Sequence, residues 1–402
     1  MSVIDKIYEM TAISHLAAAP ASIFMLLLAM LILYLGIFKK YEPLLLVPIG
    51  FGVLLANFPG GNMSVVSTQM VPEIKHMTIV EIADGYGIMN MLYYLLIKTG
   101  LLPPLIFMGV GAMTDFGPLL RNLRLAFFGA AAQLGIFTVL IGAMAIGFTP
   151  QEAGALGIIG GADGPTAIYT AIILAPHLLG PIAIAAYSYM ALVPLIIPMI
   201  VKVTTSKKEL CIHMKNQDKQ YPSKHSIKNL KLVKILFPIV ILTFISLIVP
   251  SSTPLLGMLM FGNLIKEIGS ATSRLFEAAS STIMNTATIF LGLTVGATMS
   301  AQTFLNTQTL LIIAGGFLAF GFSIAGGIFA VKIYNLFSKK KINPLIGATG
   351  LSAVPMASRV ANDIALKHDP TNHILQYAMS SNISGVIGSA VAAGILISFL
   401  SV

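Results

Sequence analysis

The chemistry this chain offers centres on a single carboxylate. Residues 156 to 169 read LGIIGGADGPTAIY, and Asp163 sits among Gly160, Gly161, Gly164 and Pro165. Glycine lacks the Cβ that restricts a backbone, and proline removes a donor and clashes with the preceding turn, so this density of both interrupts a helix. At membrane depth an interruption is tolerated only where protein or a water-filled cavity satisfies the freed backbone groups. An unpaired charge at the centre of a spanning helix costs on the order of 3 kcal/mol. The stretch therefore predicts a protein-lined ion or proton site between two half-helices, with Asp163 inside it. The competing reading is an Asp that caps a helix in a loop outside the membrane.

Other oxygen-bearing side chains fit the same chemistry. Thr166 lies in the first interruption and Ser352 in a second, with Asn343 at the second's entrance and Asn382 just before the last apolar run. Carboxylate, hydroxyl and amide oxygens are the hard ligands that replace the hydration shell of a small cation such as Na+. Unwound carbonyls between half-helices would complete the shell. Any one of these residues is as well explained by a bond to neighbouring backbone, so the reading rests on their occurring in paired breaks. Tyr187 and Tyr189 flank Ser188 in the apolar stretch IAIAAYSYMALVP. A buried phenol needs a partner; close to Asp163 it would pass a proton to a bound substrate, and otherwise it packs in the core or at the interface. Arg359 follows the second break in VPMASRVAND. Its planar fork suits an anionic substrate on the cytoplasmic side, or a pair with Asp363. Asp115, in GAMTDFGPLL, reads as a cap or loop contact near a cytoplasmic helix end in preference to an ion ligand.

These residues must be held by membrane-spanning helices. The 402 residues are 56% hydrophobic and 10% charged, mean hydropathy is +0.89, and apolar runs near the length of a bilayer core recur along the chain. The fold class is an all-α polytopic membrane protein in contact with the lipid bilayer. A net charge of +9 would suggest nucleic acid in a soluble protein, but here the basic residues fall in short loops between apolar runs and report topology, so no nucleic-acid partner is expected.

Two halves follow one plan. EPLLLVPIGFG at 42–52 lines up with TPLLGMLMFG at 253–262, and LIFMGVGAMTDF at 105–116 with TIFLGLTVGATMS at 288–300; GADGPTAI at 161–168 falls opposite LSAVPMAS at 351–358, Pro165 on Pro355. Lys39, Lys40, Arg121, Arg124 and the linker lysines are all cytoplasmic if the first half has five spans and the stretch 152–175 dips in from the opposite face. Continuing the count leaves Lys266, Arg274 and Lys339 to Lys341 cytoplasmic as well. The second half is then inverted, its broken segment enters from the cytoplasm, and the two breaks meet near the midplane, where transporters place substrate and coupling-ion sites. The expected parts are an N-terminal interfacial segment at 1–20, a first inverted repeat at 21–201, a basic cytoplasmic linker at 202–232, and a second repeat at 233–402 with its break at 344–372.

Absences narrow the function. No GxxxxGK[ST] loop occurs, so the chain is not by itself an ATP-driven pump. Its single cysteine, Cys211, excludes an internal disulfide framework, and the seven histidines are too scattered for a metal site. The N-terminus lacks the basic region and apolar core of a cleavable signal peptide. The driving energy must come from an ion gradient or from chemistry on a delivered substrate.

The segments YEPLLLVPIGFG, PPLIFMGVGAMTDF, GFTPQEAGALGIIGGADGPTAIY, IAIAAYSYMALVP, TIFLGLTVGATMSA, INPLIGATGLSAVPMASRV and NISGVIGSAVAAG, running from about residue 41 to the C-terminus, resemble the β subunit of the sodium-pumping biotin-dependent decarboxylases. The resemblance implies a membrane subunit that decarboxylates carboxybiotin, consumes a proton, and couples this to Na+ export. It places the family's aspartate on Asp163, its tyrosine on Tyr189, and its second-half asparagine, serine and arginine on Asn343, Ser352 and Arg359, with a further asparagine on Asn382. It implies Na+ at Asp163, Ser352 and the asparagines, a proton from Tyr189, and Arg359 steering the carboxyl group. Implied partners are a carboxyltransferase α subunit, a biotin carrier protein or domain, and a small single-span γ subunit, around a homotrimer of β subunits in the cytoplasmic membrane of a bacterium or archaeon. Two positions depart from the family pattern: Ile197 stands where Gln is common, and Ser380-Ser381-Asn382 replaces GPN. HMKN at 213–216 is a poor match to a biotin-attachment sequence, so biotin is expected on another polypeptide. A secondary transporter exchanging Na+ or H+ with an organic anion uses the same broken helices and stays open at this point.

Overall fold

Backbone N–H and C=O groups find no water in a bilayer core, so apolar runs satisfy them internally as helices. A computed structural model of the protein describes residues 11, 20–40, 42–66, 70–161, 163–221 and 229–401, and among these helices are the only regular secondary structure. The interfacial segment expected at 1–20 lies outside the described residues except for positions 11 and 20.

In the first half, α1 is Pro20–Ile37, α2 Pro43–Ala56, α3 Leu102–Met113, α4 Leu123–Ala132 and α5 Leu134–Ala145. An interrupted hairpin follows, with α6 at Pro150–Gly157 and α7 at Gly164–Leu174, and then α8 at Leu179–Ala191 and α9 at Val193–Thr204. Beyond the linker come α10 at Leu230–Ile248, α11 at Thr253–Ile268, α12 at Met284–Ala297, α13 at Thr307–Phe337, α14 at Met356–His368 and α15 at Leu375–Leu400. Among the described residues six helical stretches are long and apolar enough to cross a membrane, and two bent pairs raise the number to eight. One pair bends by 63° between Ile88–Ile97 and Leu102–Met113, the other by 69° between Pro176–Met190 and Val193–Thr204. Each bend has a backbone cause: Gly100 at positive φ and Pro103 in the first, Pro194 just after the break in the second.

The outer surface is apolar, with Leu27, Phe127, Phe244 and Leu310 all exposed. A shell of this kind suits lipid, and the chain is a multi-pass membrane protein. Since lipid tails are as apolar as these side chains, close packing of small residues holds the helices together. α2 crosses α12 where Gly52 faces Gly296; a Cβ on Gly52 would come within 3.0 Å of Gly296 Cα. α3 crosses α11 where Gly262 meets the α3 backbone, and a Cβ there would lie 2.9 Å from Ala112 N.

The linker is docked rather than loose where it is described. Its short helices Lys207–Leu210 and Met214–Gln220 are tied to the second half by Lys332 Nζ to Glu209 Oε1 at 3.1 Å and Lys340 Nζ to Asp218 Oδ1 at 2.6 Å. Tyr377 Oη donates to Asp218 Oδ2 over 2.5 Å. Burial pushes the Glu209 carboxyl upward, but hydrogen bonds from Ser206 together with the Lys332 ammonium outweigh it and hold the group below its ordinary range.

Candidate functional site

The first interruption is built as its glycines require. α6 starts at a capping box, in which Thr149 N donates to Glu152 Oε2 over 2.9 Å and Glu152 N to Thr149 Oγ1 over 3.3 Å. The same Glu152 accepts from Gln308 Nε2 at the start of α13 over 2.9 Å and lies 2.9 Å from His177 Nε2 beyond α7. One end of the broken hairpin is thereby fixed. α6 then tightens into a 3-10 turn at Ile158–Gly161, and α7 begins at Gly164 with Asp163 as its N-cap.

Asp163 does cap a helix, and it does so in the protein interior, where it is 6% exposed. Its Oδ1 accepts from Thr166 N over 3.3 Å. Its Oδ2 accepts from Ser352 Oγ over 2.9 Å and from Ser389 Oγ over 3.1 Å. The positive end of α7 and three donors therefore face one carboxylate.

Ser352 belongs to the second interruption, between a short helix at Leu345–Ala348 and α14, with a cis peptide at Val354–Pro355. The two interruptions touch through their backbones as well, since Ser352 N donates to Gly161 O over 2.8 Å. Asn382 braces this segment from α15: its Nδ2 donates to Leu351 O, and its Oδ1 accepts from Ser358 Oγ over 3.1 Å.

A cavity of about 200 Å³ reaches this point, lined among others by Glu42, Phe107, Met113, Asp163, Thr288 and Ser352. Its lining extends from Glu42 at the start of α2 to the carboxylate. Thr166 Oγ1 and Tyr187 Oη are buried without a hydrogen-bond partner. The Tyr187 ring lies so close to Gly164 that a Cβ there would collide with it.

The remaining residues anticipated from the sequence lie elsewhere. Asn343 is buried, and its groups are engaged by backbone: Nδ2 donates to Leu210 O over 2.8 Å and to Ile212 O over 3.1 Å, and Oδ1 accepts from Leu345 N over 3.0 Å. It makes no hydrogen bond to the Asp163 cluster and holds the linker, assisted by Asn372 Nδ2 on the same two carbonyls at 3.3 and 3.2 Å. Tyr189 Oη donates to Ile313 O in α13, and its ring meets Phe317 edge-on at 6.0 Å. Arg359 is exposed on α14 and makes no ion pair with Asp363 among the described residues. Asp115 caps its own turn, accepting from Gly117 N over 2.9 Å, and pairs with Lys234 Nζ at 2.5 Å.

Sequence reasoning passed over Ser389 and gave Tyr187 no more weight than Tyr189. Ser389 sits seven residues after Asn382, two helical turns along α15, so the same face of that helix that braces the second break reaches Asp163.

A buried carboxylate at the meeting of two broken helices, reached by a cavity in an apolar helical bundle, is the setting in which membrane transport proteins place ion and proton sites. Residues 21–400 match the family described as Na+-transporting oxaloacetate decarboxylase beta subunit. Methylmalonyl-CoA decarboxylase subunit beta of Propionigenium modestum is 50% identical over 389 residues, covering 94% of both chains. Oxaloacetate decarboxylase beta chain 2 of Salmonella typhi is 45% identical over 442 positions, covering 100% of this chain and 99% of that one. Methylmalonyl-CoA decarboxylase subunit beta of Veillonella parvula is 47% identical over 391 residues. The chain belongs to the family of Na+-transporting decarboxylase β subunits.

Proposed function

We propose that this subunit decarboxylates carboxybiotin presented by a partner polypeptide and couples that step to Na+ export. The observation that supports the reading best is Asp163, a carboxylate held by Thr166, Ser352 and Ser389 at the junction of both interruptions and open to a cavity. Lys39 and Lys40 shortly precede Glu42, which lines the cavity, and by the positive-inside rule that end is cytoplasmic. Na+ enters there and is taken by Asp163 Oδ2, Ser352 Oγ and Thr166 Oγ1, the last a buried oxygen with no other partner.

The chemical step balances simply. The N–CO2 bond breaks, CO2 leaves, and the ureido nitrogen takes up one proton. Tyr189 supplies that proton in the reading taken from the resemblance; its hydroxyl is held by Ile313 in α13, so delivery requires α8 and α13 to separate. Arg359, exposed on α14 and without an ion pair among the described residues, meets the incoming carboxyl group. Asn382 shapes the second break, and Asn343 ties that half to the linker.

Exporting one charge against 100 mV costs about 2.3 kcal/mol, so outward release has to be tied to the exergonic decarboxylation. α2 packs on α12 and α3 on α11, whereas the aligned segments pair α2 with α11 and α3 with α12; this reciprocal exchange supports two repeats related by a two-fold axis, and their inversion rests on the loop charges. The proposed assembly is a β trimer in the cytoplasmic membrane with a carboxyltransferase α subunit, a biotin carrier and a single-span γ subunit. Purified protein in liposomes, given carrier-bound carboxybiotin, should release CO2 only with Na+ present and accumulate Na+ inside inverted vesicles. Movement of an organic anion without CO2 release would establish the secondary-transporter reading instead.

A further inference from the structure

Asp163 has a second face. Ser352 stands on the side of the cavity, whereas Ser389 approaches the same Oδ2 from α15, and Ser389 does not line the cavity. Beyond Ser389 lies Gln133. This residue occupies the hitch between α4 and α5, at the middle of the apolar span Leu123–Ala145, and is 6% exposed. Its Nε2 faces three carbonyls, Gly129 O at 3.2 Å, Gly350 O at 3.3 Å and Gly385 O at 3.4 Å, which belong to α4, the second interruption and α15.

That arrangement fixes which way the amide points. Reversing it would turn an acceptor toward three acceptors. The carbonyl oxygen is therefore aimed toward the first interruption, where it is buried with no hydrogen-bond partner. A Cβ added to Gly161 would lie 3.6 Å from Gln133 Oε1 and 3.0 Å from Ser389 Cβ, so the three residues share one small space. Ser389 Oγ has one proton and two acceptors, Asp163 Oδ2 at 3.1 Å and Val386 O at 3.0 Å. When it donates to Val386, its lone pairs are free beside Asp163. An amide oxygen with no donor committed to it thus shares the space at Gly161 with the hydroxyl that contacts the carboxylate, and these are the oxygen types a hard monovalent cation takes.

We propose that Gln133 Oε1, Ser389 Oγ and Asp163 form a second Na+ station on the α15 side of the carboxylate, occupied after the ion has left the Ser352 side. An ion there is screened from the cytoplasmic cavity by Asp163 itself, so the station occludes the ion before outward release. The inference rests on the Na+-handling reading of Asp163 given above.

The test is a Na+ titration of the assembled complex, with choline chloride holding ionic strength constant, followed by CO2 release and by Na+-dependent thermal protection without substrate. Gln133→Leu removes both ends of the amide, while Gln133→Glu keeps an oxygen, adds charge and removes the donor. The station predicts shifts of opposite sign: half-saturation by Na+ rises at least tenfold in Gln133→Leu and falls in Gln133→Glu at alkaline pH. A purely structural amide predicts that both variants are impaired in the same direction, and that result, or a wild-type titration from Gln133→Leu, overturns the proposal. Should Gln133→Leu fail to accumulate, Ser389→Ala serves: a tenfold rise supports the station, and a wild-type titration overturns it. Absence of any Na+ response in the wild-type complex would instead sink the parent reading of Asp163.

Discussion

Ser352 and Asp163, 189 positions apart in sequence, are joined by a 2.9 Å hydrogen bond from hydroxyl to carboxylate. The same residue's N–H donates to Gly161 O over 2.8 Å. Two interruptions that would otherwise each leave polar backbone without partners in the membrane interior thus complete one another. Under the proposed function the contact would couple ion occupancy to backbone arrangement, because a cation that replaced the Ser352 proton at Asp163 would loosen one of these two links.

Replacing Asp163 by Asn keeps shape and removes the charge. CO2 release and Na+ transport should fall by at least about a hundredfold, and Na+-dependent thermal protection should disappear. Ser352→Ala removes one donor and one ligand and leaves the carboxylate. A lost hydrogen bond to a charged group is worth about 1.5–3 kcal/mol, so half-saturation by Na+ should rise roughly tenfold or more at unchanged temperature. A wild-type half-saturation in Ser352→Ala would mean that Ser352 does not contact the ion.

Gly164 tests the packing at the start of α7. A methyl group there meets the Tyr187 ring, and overpacking of a tight core costs about 1–3 kcal/mol. Gly164→Ala should lower the unfolding temperature in detergent by several degrees and depress Na+ binding. Adding Tyr187→Ala opens the space, so the double variant should be less destabilised than the sum of the single changes. Strict additivity would show that the ring yields without cost.

Much of this was legible in the sequence because glycine, proline and charge are conspicuous in apolar text. The interruption at Asp163 and the second one near Pro355 follow from backbone chemistry that a single sequence carries, while the meeting of Asp163 with Ser352 was legible only through the loop charges and the family resemblance. Ser389 and Gln133 did not show, since a serine in a small-residue stripe and a glutamine near mid-span look like ordinary packing until a neighbouring helix turns them inward. Asn343 illustrates the converse. Its amide suits an ion, but the carbonyls of Leu210 and Ile212 reach it first, and linker docking is a tertiary fact that no local pattern announces. The order of Tyr187 and Tyr189 was undecidable for a similar reason: two residues apart on a helix they point some 200° apart, and only the position of α13 says which of them meets the site.

The Asn343 clamp predicts a proteolytic phenotype. Asn343→Ala removes the shorter of the two donors to both linker carbonyls and leaves Asn372, and trypsin should cut at Lys207 and Lys208 several-fold faster in the variant. Were Asn343 an ion ligand, cleavage would stay at the wild-type rate while half-saturation by Na+ rose. Docking should also weaken in acid. Glu209 is held below its ordinary value of 4.5, so its pairing with Lys332 is present above that value. The stabilisation is lost as pH falls through the depressed one. Protection of the linker should therefore persist to pH 5 and decline only below about pH 4.5.

The two tyrosines separate ion binding from proton delivery. Tyr187 Oη is buried, unpartnered and adjacent to the first interruption, so Tyr187→Phe removes a polar atom from beside the ion while keeping the ring that packs on Gly164. Half-saturation by Na+ should rise several-fold, with the maximal rate of CO2 release little changed. Tyr189→Phe removes the bond to Ile313 and, in the reading given above, the proton. Maximal CO2 release should fall by about 10²–10⁴-fold, the range for loss of a positioned proton donor, while Na+-dependent thermal protection persists. The deciding measurement is the pH profile of the residual rate: if Tyr189 carries the proton, the variant's rate should rise as pH falls, because solvent must now supply it. A Tyr189→Phe variant with a wild-type pH profile and only a lowered unfolding temperature would reduce Tyr189 to a brace between α8 and α13.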